Sequence, residues 1–553
     1  MASSHLLVYP GSPMPITPSF ASITALDADP DHASAQIQQV VDAADARDVL
    51  VFWDTRFGAV PIAQLVLFHG SLDDAWHGSQ VYAHQEATDF LEYIQIGDIY
   101  RRAVPTQQGA VHWRISLRAA FVRVAIVRQL GIFNSGFTSL EGAALEMGWR
   151  WLKRGAVLRQ RTDLIPPAAL PVKSVAIPVT DRYRLVTLHQ GRRWVRLVML
   201  REIMRLRSPW GAWAAAQRAL RFDSRYKDIP DGVADRDLST VSLPTVPRVS
   251  VILPTFGRYR YVAEVLGDIR NQTIRPAQIL IADGNPADQR DVSVYDAFRD
   301  LPLHVLLLEP HENGVSASRN ACLAHITGDY VWFVDDDSRF EADNLEQHLR
   351  LLLTYAADVS VGPAVTTNRP ELHRYQADIH CSFMDCGTTL CRTELIERVG
   401  GFDLQYNLWM QTEDADIGDR FIQAGGLILN NPYAQRFHYM APSGGTRTSK
   451  RAYHRWRRWS LLARPSQTIY YRAHRYFGAR AALENTLYSW ILSGWRRKDG
   501  QSLTPRWLIM NLVSEIIALP LSLYRLAVSI SGARAMLKQG PQIPTVKRHN
   551  APP

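Results

Sequence analysis

Three consecutive carboxylates, Asp335, Asp336 and Asp337, end the stretch DYVWFVDDD. Anions crowded at one point repel each other, and a bound cation relieves that repulsion. Carboxylate oxygens are also the ligands that hard divalent ions such as Mg²⁺ and Mn²⁺ prefer. We therefore expect Asp335 and Asp337 to offer oxygen ligands to one such ion. The alternative is a solvated acidic turn that binds no metal.

A second acidic group, Glu413, Asp414 and Asp416, lies in the segment TEDADIGDR. The spacing of apolar residues predicts an amphipathic helix that begins at these acids. A helix N-terminus favours carboxylates through its dipole, which is a purely structural explanation for acids at this position. The chemical explanation is that one of them takes a proton from an attacking hydroxyl group.

Apolar and β-branched runs predict the elements that position these acids. Val249–Leu253 is typical of a buried strand, as are the segment QILIADG, which ends near Asp283, and the run DYVWFV. Helix-like runs separate the strands, and this order predicts an α/β fold with a mostly parallel sheet and helices on both faces. Ligands bind at the carboxyl ends of parallel strands, where Asp283 can accept hydrogen bonds from a base or ribose.

Several ordered motifs make residues 249–445 resemble a family 2 glycosyltransferase of the GT-A fold. The motifs are VSVILPTFGR, the ILIADG strand, NGVSASRN, the acid triplet DDD, CGTTLCRTELIERVGGFD and TEDADIGDR. Their shared order makes the resemblance far more specific than any one motif alone.

The resemblance implies which residues bind a nucleotide-sugar donor. Such enzymes place the segment after the first strand along the nucleotide, an acid of the second strand at the base, and the acid triplet near the ribose and the diphosphate. The corresponding residues here are Pro254, Thr255, Arg258, Asp283, Arg319, Asp335 and Asp336. Pro254 and Thr255 could instead simply end a strand, Asp283 could cap a turn, and Arg319 could brace its loop.

The resemblance also implies a divalent cofactor, Mn²⁺ or Mg²⁺. Asp335 and Asp337 match the carboxylate ligands, and His438 falls where some family members place a third ligand. A neutral imidazole beside two carboxylates is chemically reasonable, although a lone histidine is more often structural. The metal would neutralise the diphosphate leaving group.

The resemblance places the general base at Asp414, with Glu413 beside it and Asp416 orienting the acceptor. One base and direct displacement imply inversion at the anomeric carbon. The predicted function is transfer of a sugar to a hydroxyl of a glycan or lipid-linked glycan. Bacterial rhamnosyl- and galactofuranosyl-transferases of surface glycan synthesis are the similar proteins, by analogy.

Two other functions fit parts of the sequence. A non-catalytic glycan-binding or scaffold protein built on two GT-A-like domains is the alternative from another class, and the intact acids with His438 disfavour it. A sugar-1-phosphate nucleotidyltransferase needs a glycine-rich loop after the first strand, whereas GGTR (Gly444–Arg447) lies at the other end of the domain.

The QxxRW element of processive synthases is incomplete in RWRRW (Arg455–Trp459), which favours a non-processive or short-chain transferase.

The N-terminal part resembles the later acidic segments. DVLVFWDTRF aligns with DYVWFVDDDSRF, so that Asp54 takes the place of Asp335 and Arg56 takes that of Asp337. Further on, ALEMGWRWLKRGAVL aligns with DADIGDRFIQAGGLIL, with alanines where the acids of Glu413–Asp414 stand. We predict a diverged internal repeat that has lost its second metal carboxylate and its acid pair. Chance similarity between two α/β segments is the alternative.

Four regions follow from these patterns. Residues 1–160 are the degenerate GT-A-like copy, and residues 161–245 are a helical connector and linker. Residues 246–446 are the predicted catalytic GT-A domain, and residues 447–553 are a basic helical region. A chain of 553 residues is too long for a single core, which agrees with more than one domain.

The C-terminal region combines charge with an apolar run. Most of the net charge of +9 lies between residues 447 and 506, where arginines alternate with aromatic residues. No nucleic-acid module accompanies them, so we expect peripheral contact with an anionic membrane rather than nucleic-acid binding. Trp507–Ile530 is strongly apolar, but Glu515 and Arg525 disfavour a spanning helix. An interfacial amphipathic segment or a helix packed on the catalytic domain is expected instead.

Cysteine content and the N-terminus bear on location. The four cysteines form no CxxC pair, which disfavours a zinc site and fits a reducing compartment. The start MASSHLLVYPGSPMP lacks the basic region and apolar core of a secretory signal. The predicted location is the cytoplasm, with peripheral attachment to the inner face of the plasma membrane.

Overall fold

The computed structural model describes most of the chain. The described residues are 2–15, 20–78, 109–169, 177–204, 209–221, 229–230, 232–234, 236–241, 243, 248–309, 314–366, 384–407, 412–445, 461–494 and 504–549. The predicted RWRRW element (Arg455–Trp459) lies outside these residues.

The N-terminal part folds around a six-stranded sheet. The strands are β1 (Ser4–Val8), β2 (Ser22–Ala25), β3 (Val49–Trp53), β4 (Ala75–His77), β5 (Ala119–Arg123) and β6 (Leu158–Gln160). They lie in the order β2-β1-β3-β5-β4-β6, and β5 runs antiparallel to both of its neighbours while the other pairs are parallel. Every residue of β3 is buried, as expected of a strand covered on both faces.

Helices pack around this sheet and connect it to the rest of the chain. The helices of the N-terminal part are α1 (Pro30–Ala43), α2 (Ile62–His69), α3 (Val124–Leu130) and α4 (Leu140–Lys153). Three helices, α5 (Val179–Gln190), α6 (Arg192–Met204) and α7 (Pro209–Arg221), then pack on one another where the sequence predicts a helical connector.

A second, larger α/β unit follows. Its strands are β7 (Val249–Thr255), β8 (Gln278–Asp283), β9 (Leu303–Leu307), β10 (Tyr330–Val334), β11 (Ser338–Phe340), β12 (Val359–Val361), β13 (Ala364–Val365), β14 (Thr388–Arg392), β15 (Ile428–Asn430) and β16 (Arg436–His438). The main sheet has the order β15-β12-β14-β10-β7-β8-β9, and β11, β16 and β13 form a small sheet beside it. The helices are α8 (Tyr259–Arg270), α9 (Val315–Leu323), α10 (Asn344–Thr354), α11 (Thr393–Val399) and α12 (Glu413–Gln423).

The two main sheets repeat one topology. Strands β2, β1, β3, β5, β4 and β6 correspond in order and direction to β8, β7, β10, β14, β12 and β15, and β9 extends the second sheet at one edge. In each sheet one strand, β5 or β14, is antiparallel to both neighbours. The predicted fold class, a mostly parallel sheet preceded by a degenerate copy of itself, is confirmed.

A buried ion pair occupies the same place in both copies. Arg150 of α4 pairs with Glu146 one turn earlier, and Arg420 of α12 pairs with Asp416 at the same spacing, with N–O distances of 3.1 Å in both. Each guanidinium also donates to backbone carbonyls at the end of the preceding helix, α3 or α11. The ion pair therefore joins two helices and belongs to the fold rather than to a site in one copy.

The C-terminal region packs directly on α12. It contains α13 (Gln467–Gly494), which is interrupted by the non-helical Gly478, and α14 (Pro505–Gln539). Arg472 of α13 makes a bidentate contact with Asp419 of α12, at 2.6 and 2.7 Å. Arg475 donates to Asp416 and to Asp403, at 2.9 Å each. Helix α13 is thus fixed to the helix that carries the second acidic group.

The buried Arg472–Asp419 pair predicts a large stability effect. Asp419→Ala would leave the Arg472 guanidinium, which is 9% exposed, without its bidentate partner. Loss of one member of a buried pair costs about 3–5 kcal/mol. We expect the melting temperature, followed by circular dichroism, to fall by at least about 5 °C.

The surface pair of Arg299 and Asp296, whose side chains are 79% and 60% exposed, supplies the control. Asp296→Ala should leave the melting temperature nearly unchanged, because exposed ion pairs contribute little. Equal effects of the two substitutions would contradict a structural role for the buried pair.

Candidate active site

The acid triplet begins immediately after β10, at the carboxyl edge of the second sheet. Strand β11 pairs antiparallel with β16, with Ser338 opposite His438, and this register brings the histidine to the triplet. The ligand atoms of Asp335, Asp337 and His438 all lie within 4.8 Å of one another. Two carboxylates and one imidazole at this separation can hold one divalent ion. The structure thus brings together the three predicted metal ligands.

Asp337 is set up to stay ionised. His438 Nε2 lies 3.2 Å from its Oδ1, and the Ala441 amide donates to its Oδ2 at 3.0 Å. Burial raises the pKa of Asp337, but the contacts with His438, Arg258 and this amide outweigh burial and hold the pKa at about 2. A carboxylate with this pKa is available as a ligand at neutral pH.

The middle acid points elsewhere. Asp336 accepts hydrogen bonds from Thr255 Oγ1 at 2.9 Å and from Arg258 Nη1 at 2.7 Å. Burial raises the pKa of Asp336 to about 6 against the opposing effect of Arg258. Arg258 also donates from Nε to the Ser443 carbonyl at 3.0 Å. Thr255, Arg258 and Asp336 therefore tie the loop after β7 to the acid triplet, while Pro254 is half-buried near the end of β7.

Asp283 lies fully buried at the end of β8. Its Oδ2 accepts from the hydroxyls of Tyr259 and Tyr295 at 2.7 and 3.0 Å. Its Oδ1 accepts from the backbone and side-chain nitrogens of Asn285, at 3.0 and 2.7 Å. A direct contact with a base would have to displace one of these donors. These contacts give Asp283 the turn-ordering role, and the base-binding role stays a prediction.

A buried arginine joins the two acidic groups. Arg319 of α9 donates to Asp414 Oδ1 at 2.9 Å and lies 3.5 Å from Asp335 and 3.8 Å from Glu413. Its side chain is 4% exposed and also packs over Phe402. In the described structure Arg319 contacts carboxylates on both sides of the site, so it fixes the distance between them.

Asp414 lies in the first turn of α12 and has the environment of a general base. Its side chain is 19% exposed, so a substrate can reach it. Burial raises the pKa of Asp414, and Glu413 and Asp385 raise it further, while Arg319 lowers it. A carboxylate with a raised pKa is a better proton acceptor than an ordinary one. Glu413, beside it, is also held above its usual pKa by burial.

The prediction that Asp416 contacts an acceptor is wrong. Asp416 is fully buried, and its carboxylate accepts from Tyr406, Tyr476, Arg420 and Arg475 at 2.8–3.1 Å. Tyr406 and Arg420 belong to the second α/β unit, and Arg475 and Tyr476 belong to α13. They contact Asp416 on the side of α12 that faces away from the acid triplet. The N-terminal copy keeps Glu146 at this position but has alanines in place of Glu413 and Asp414, which agrees with a structural role.

Sequence reasoning missed Arg436 and its partner Asp385. Arg436 Nη1 lies 3.3 Å from Asp335 Oδ2, and Nη2 donates to Asp385 Oδ1 at 2.9 Å. Gly387 leaves the room for this guanidinium, because a Cβ at that position would overlap it. Arg436 precedes His438 by two residues in one strand, so both side chains lie on one face. This spacing was the available signal.

The N-terminal copy closes the corresponding position with its own arginines. Asp54, the counterpart of Asp335, accepts from Arg56 at 2.7 and 2.8 Å, from Arg118 at 2.8 Å and from Ser12 at 2.8 Å. Arg118 stands where the second copy has Gly387, since both carbonyls accept from the backbone amide of the strand-ending acid. These contacts overcome burial and lower the pKa of Asp54 to about 2.

Comparison with known proteins agrees with this geometry. Residues 250–420 match the family described as glycosyl transferase family 2. Glycosyltransferase GlyA of Streptococcus pneumoniae is 29% identical over 124 residues, which are 22% of this chain and 18% of that protein.

One further relative and one solved structure were also found. The Campylobacter jejuni GalNAc(5)-diNAcBac-PP-undecaprenol beta-1,3-glucosyltransferase is 29% identical over 93 residues, 17% of this chain and 30% of that protein. A solved Pyrobaculum calidifontis mannosyltransferase, in complex with GDP-Man and Mn²⁺, has 17% identity and a TM-score of 0.36 and covers 65% of this chain and 98% of its own. The matches to GlyA and to the glucosyltransferase span less than a third of either relative.

The three candidate ligands Asp335, Asp337 and His438 lead to a prediction about metal binding. We expect wild-type protein to bind Mn²⁺ in isothermal titration calorimetry, and Asp337→Ala and His438→Ala to weaken binding at least about tenfold by removing a ligand. Arg56→Ala, at the equivalent position of the N-terminal copy, is the matched control and should bind as the wild type does. Undiminished binding by both ligand variants would contradict the assigned cluster.

Proposed function

We propose that residues 246–446 transfer a sugar from a nucleotide-sugar to a hydroxyl of a glycan or lipid-linked glycan, with inversion and with a divalent metal. One observation carries the proposal. Arg319 contacts Asp335, one of three candidate metal ligands, on one side and the partly exposed carboxylate of Asp414, whose pKa is raised, on the other. A site for leaving-group charge next to a site for proton removal is what glycosyl transfer requires. The family 2 domain over residues 250–420 supports the same function.

The donor would bind with its diphosphate at the acid triplet. A divalent ion held by Asp335, Asp337 and His438 would supply neutralising charge for the diphosphate leaving group. Arg319 and Arg436 add fixed positive charge at the same edge. Pro254, Thr255, Arg258, Asp283 and Asp336 form the loop region proposed to take the nucleotide.

The acceptor would be activated by Asp414. Its carboxylate takes the hydroxyl proton while the hydroxyl oxygen bonds to the anomeric carbon and the bond to the diphosphate oxygen breaks. A single displacement of this kind inverts the anomeric configuration. Glu413 helps through its charge, which raises the pKa of Asp414.

The N-terminal copy, residues 1–160, would be a structural or acceptor-binding domain without catalysis of its own. Its Asp54 is already neutralised by two arginines, and alanines replace the acid pair. The relative named for a PP-undecaprenol acceptor supports a lipid-linked acceptor, and hence a membrane-bound substrate. The cytoplasmic face of that membrane is part of the same proposal.

Release of nucleoside diphosphate from a donor panel tests this function. Wild-type protein with Mn²⁺ should release nucleoside diphosphate from one or a few UDP-, dTDP- or GDP-sugars, and chelator should abolish the release. Asp337→Ala should lower the rate by at least about a hundredfold, because it removes the neutralisation of the leaving group. Arg56→Ala should retain the wild-type rate.

The outcomes separate the candidate functions. If Arg56→Ala lost nucleoside diphosphate release while Asp337→Ala kept it, catalysis would lie in the N-terminal copy, and the proposal would be wrong. Binding of Mn²⁺ without turnover of any donor, with or without a glycan acceptor, would favour the scaffold function instead.

The raised pKa of Asp414 predicts the pH dependence of transfer. The base must be ionised, so kcat/KM should rise with pH through the pKa of Asp414 and fall as pH drops below it. Glu413→Gln removes a negative charge that raises this pKa, so the acidic limb should move to lower pH. Glu264→Gln, on α8, is the control, since the Glu264 carboxylate contacts Tyr439 and Arg339. A limb that stays in place or moves upward in Glu413→Gln would exclude Asp414 as the titrating base.

A further inference from the structure

The first half of α14 is amphipathic, but its apolar side chains are exposed and its polar side chains are half-buried. Its exposed side chains between residues 509 and 524 are apolar: Ile509, Met510, Leu512, Val513, Ile516, Ile517, Leu519, Leu523 and Tyr524. The polar residues of the same stretch, Asn511, Ser514, Glu515 and Ser522, are half-buried. Water-soluble helices show the opposite arrangement.

Helical geometry makes this segregation complete. At about 100° per residue, the exposed apolar residues cover an arc of about 180°, and Pro520 falls in the same arc. The polar and small residues, together with Leu521, occupy the opposite arc. That arc also contains Arg525, which is buried and donates from Nε to the Leu462 carbonyl at 3.0 Å. The apolar arc is therefore the one turned away from the protein.

The packing of α13 against α14 fixes this orientation. The Trp490 indole donates to Ser522 Oγ at 2.7 Å, so the polar arc faces α13. Nearer the C-terminus, Ala533 and Met536 of α14 pack against Tyr406, Tyr470 and Tyr471. The two helices form a hairpin whose base belongs to the catalytic unit and whose far part presents apolar side chains outward.

Basic residues close in sequence to the apolar arc of residues 509–524 indicate what this arc binds. The residues that join the two helices in sequence include Arg496, Arg497 and Lys498, and Arg506 follows in the first turn of α14. Basic residues this close in sequence to an outward apolar arc match the chemistry of a bilayer with anionic headgroups, in which cations interact with phosphates and apolar side chains with acyl chains. Ile509–Gln539 is also long and apolar enough to cross a membrane, with 22% of its most apolar window buried.

We propose that the apolar arc of residues 509–524 inserts into one leaflet of an anionic lipid bilayer and anchors the protein there. Glu515 and Arg525 lie on the opposite arc, where they remain with the protein instead of entering lipid. Arg472 and Arg475 join α13 to α12, which carries Asp414, so the anchor is linked through α13 to the helix of the candidate base. The proposal does not depend on glycosyl transfer, because lipid binding is measured without donor or acceptor.

Flotation of the full chain with lipid vesicles tests the proposal. We expect wild-type protein to float with vesicles of phosphatidylcholine and phosphatidylglycerol, and less with phosphatidylcholine alone. The double variant Ile516→Asp and Ile517→Asp changes two side chains that are 62% and 65% exposed, so the fold should persist. Its vesicle binding should fall at least about tenfold, because charged side chains are strongly disfavoured in the acyl region.

Val66→Asp is the matched control, since Val66 is 64% exposed on α2 of the N-terminal copy. It should float as the wild type does, and both variants should keep the wild-type melting temperature and nucleoside diphosphate release. Equal flotation of wild type and double variant would overturn the proposal. So would absent flotation combined with a dimer, in sedimentation velocity, that the double variant dissociates, because the arc would then join two copies of this chain.

Discussion

Burial of several carboxylates at one sheet edge is the constraint on which the second copy depends. Asp335, Asp336, Asp337, Glu413 and Asp414 come together because parallel strands and a helix N-terminus converge there. Such a cluster is unfavourable unless cations accompany it. Arg258, Arg319 and Arg436 supply that charge within the chain. Each guanidinium touches more than one acid, so the charges that make burial tolerable also set the spacing of the acids.

Arg319 has the central position in this arrangement. It is presented by α9, whose N-terminus follows Gly314 at a φ of +129°, and a Cβ there would collide with the Asn407 amide. Asn407 in turn accepts from the Ala317 amide at 3.0 Å. The first turn of α9 is thereby joined to Asn407. Fixed placement of the candidate metal ligands relative to Asp414, the proposed base, is the kind of preorganisation that catalysis needs.

The N-terminal copy meets the same constraint with fewer acids. It keeps the sheet topology and the Glu146–Arg150 pair, which hold the fold together. It has Arg56 at the position of Asp337, a candidate metal ligand, and Arg118 where the other copy has glycine. The Glu146–Arg150 pair is retained because the fold requires it. The counterparts of Asp337, Glu413 and Asp414 are absent because only the proposed chemistry requires them.

The sequence predicted strand ends well, because an apolar run that stops at acids leaves little choice of position. It also predicted His438 as a third ligand beside Asp335 and Asp337, although only the β11–β16 register shows why the histidine lies next to the acid triplet. Asp416 was assigned wrongly, yet it lies about 200° around the helix from Asp414 at 100° per residue, which places the two on opposite faces. The partners of Asp416 on α13 lie more than fifty residues away, and no local pattern shows such contacts. Arg436 was missed although its two-residue spacing from His438 was a signal, because its partners Asp335 and Asp385 are distant in sequence.

The location of bound Mn²⁺ tests the account most directly. Anomalous diffraction from crystals grown with Mn²⁺ and a nucleoside diphosphate should show a peak bounded by Asp335, Asp337 and His438, and no peak at Asp54. A peak at Asp54, or a bound nucleotide with its diphosphate away from the acid triplet, would contradict the assignment of the site to the second copy.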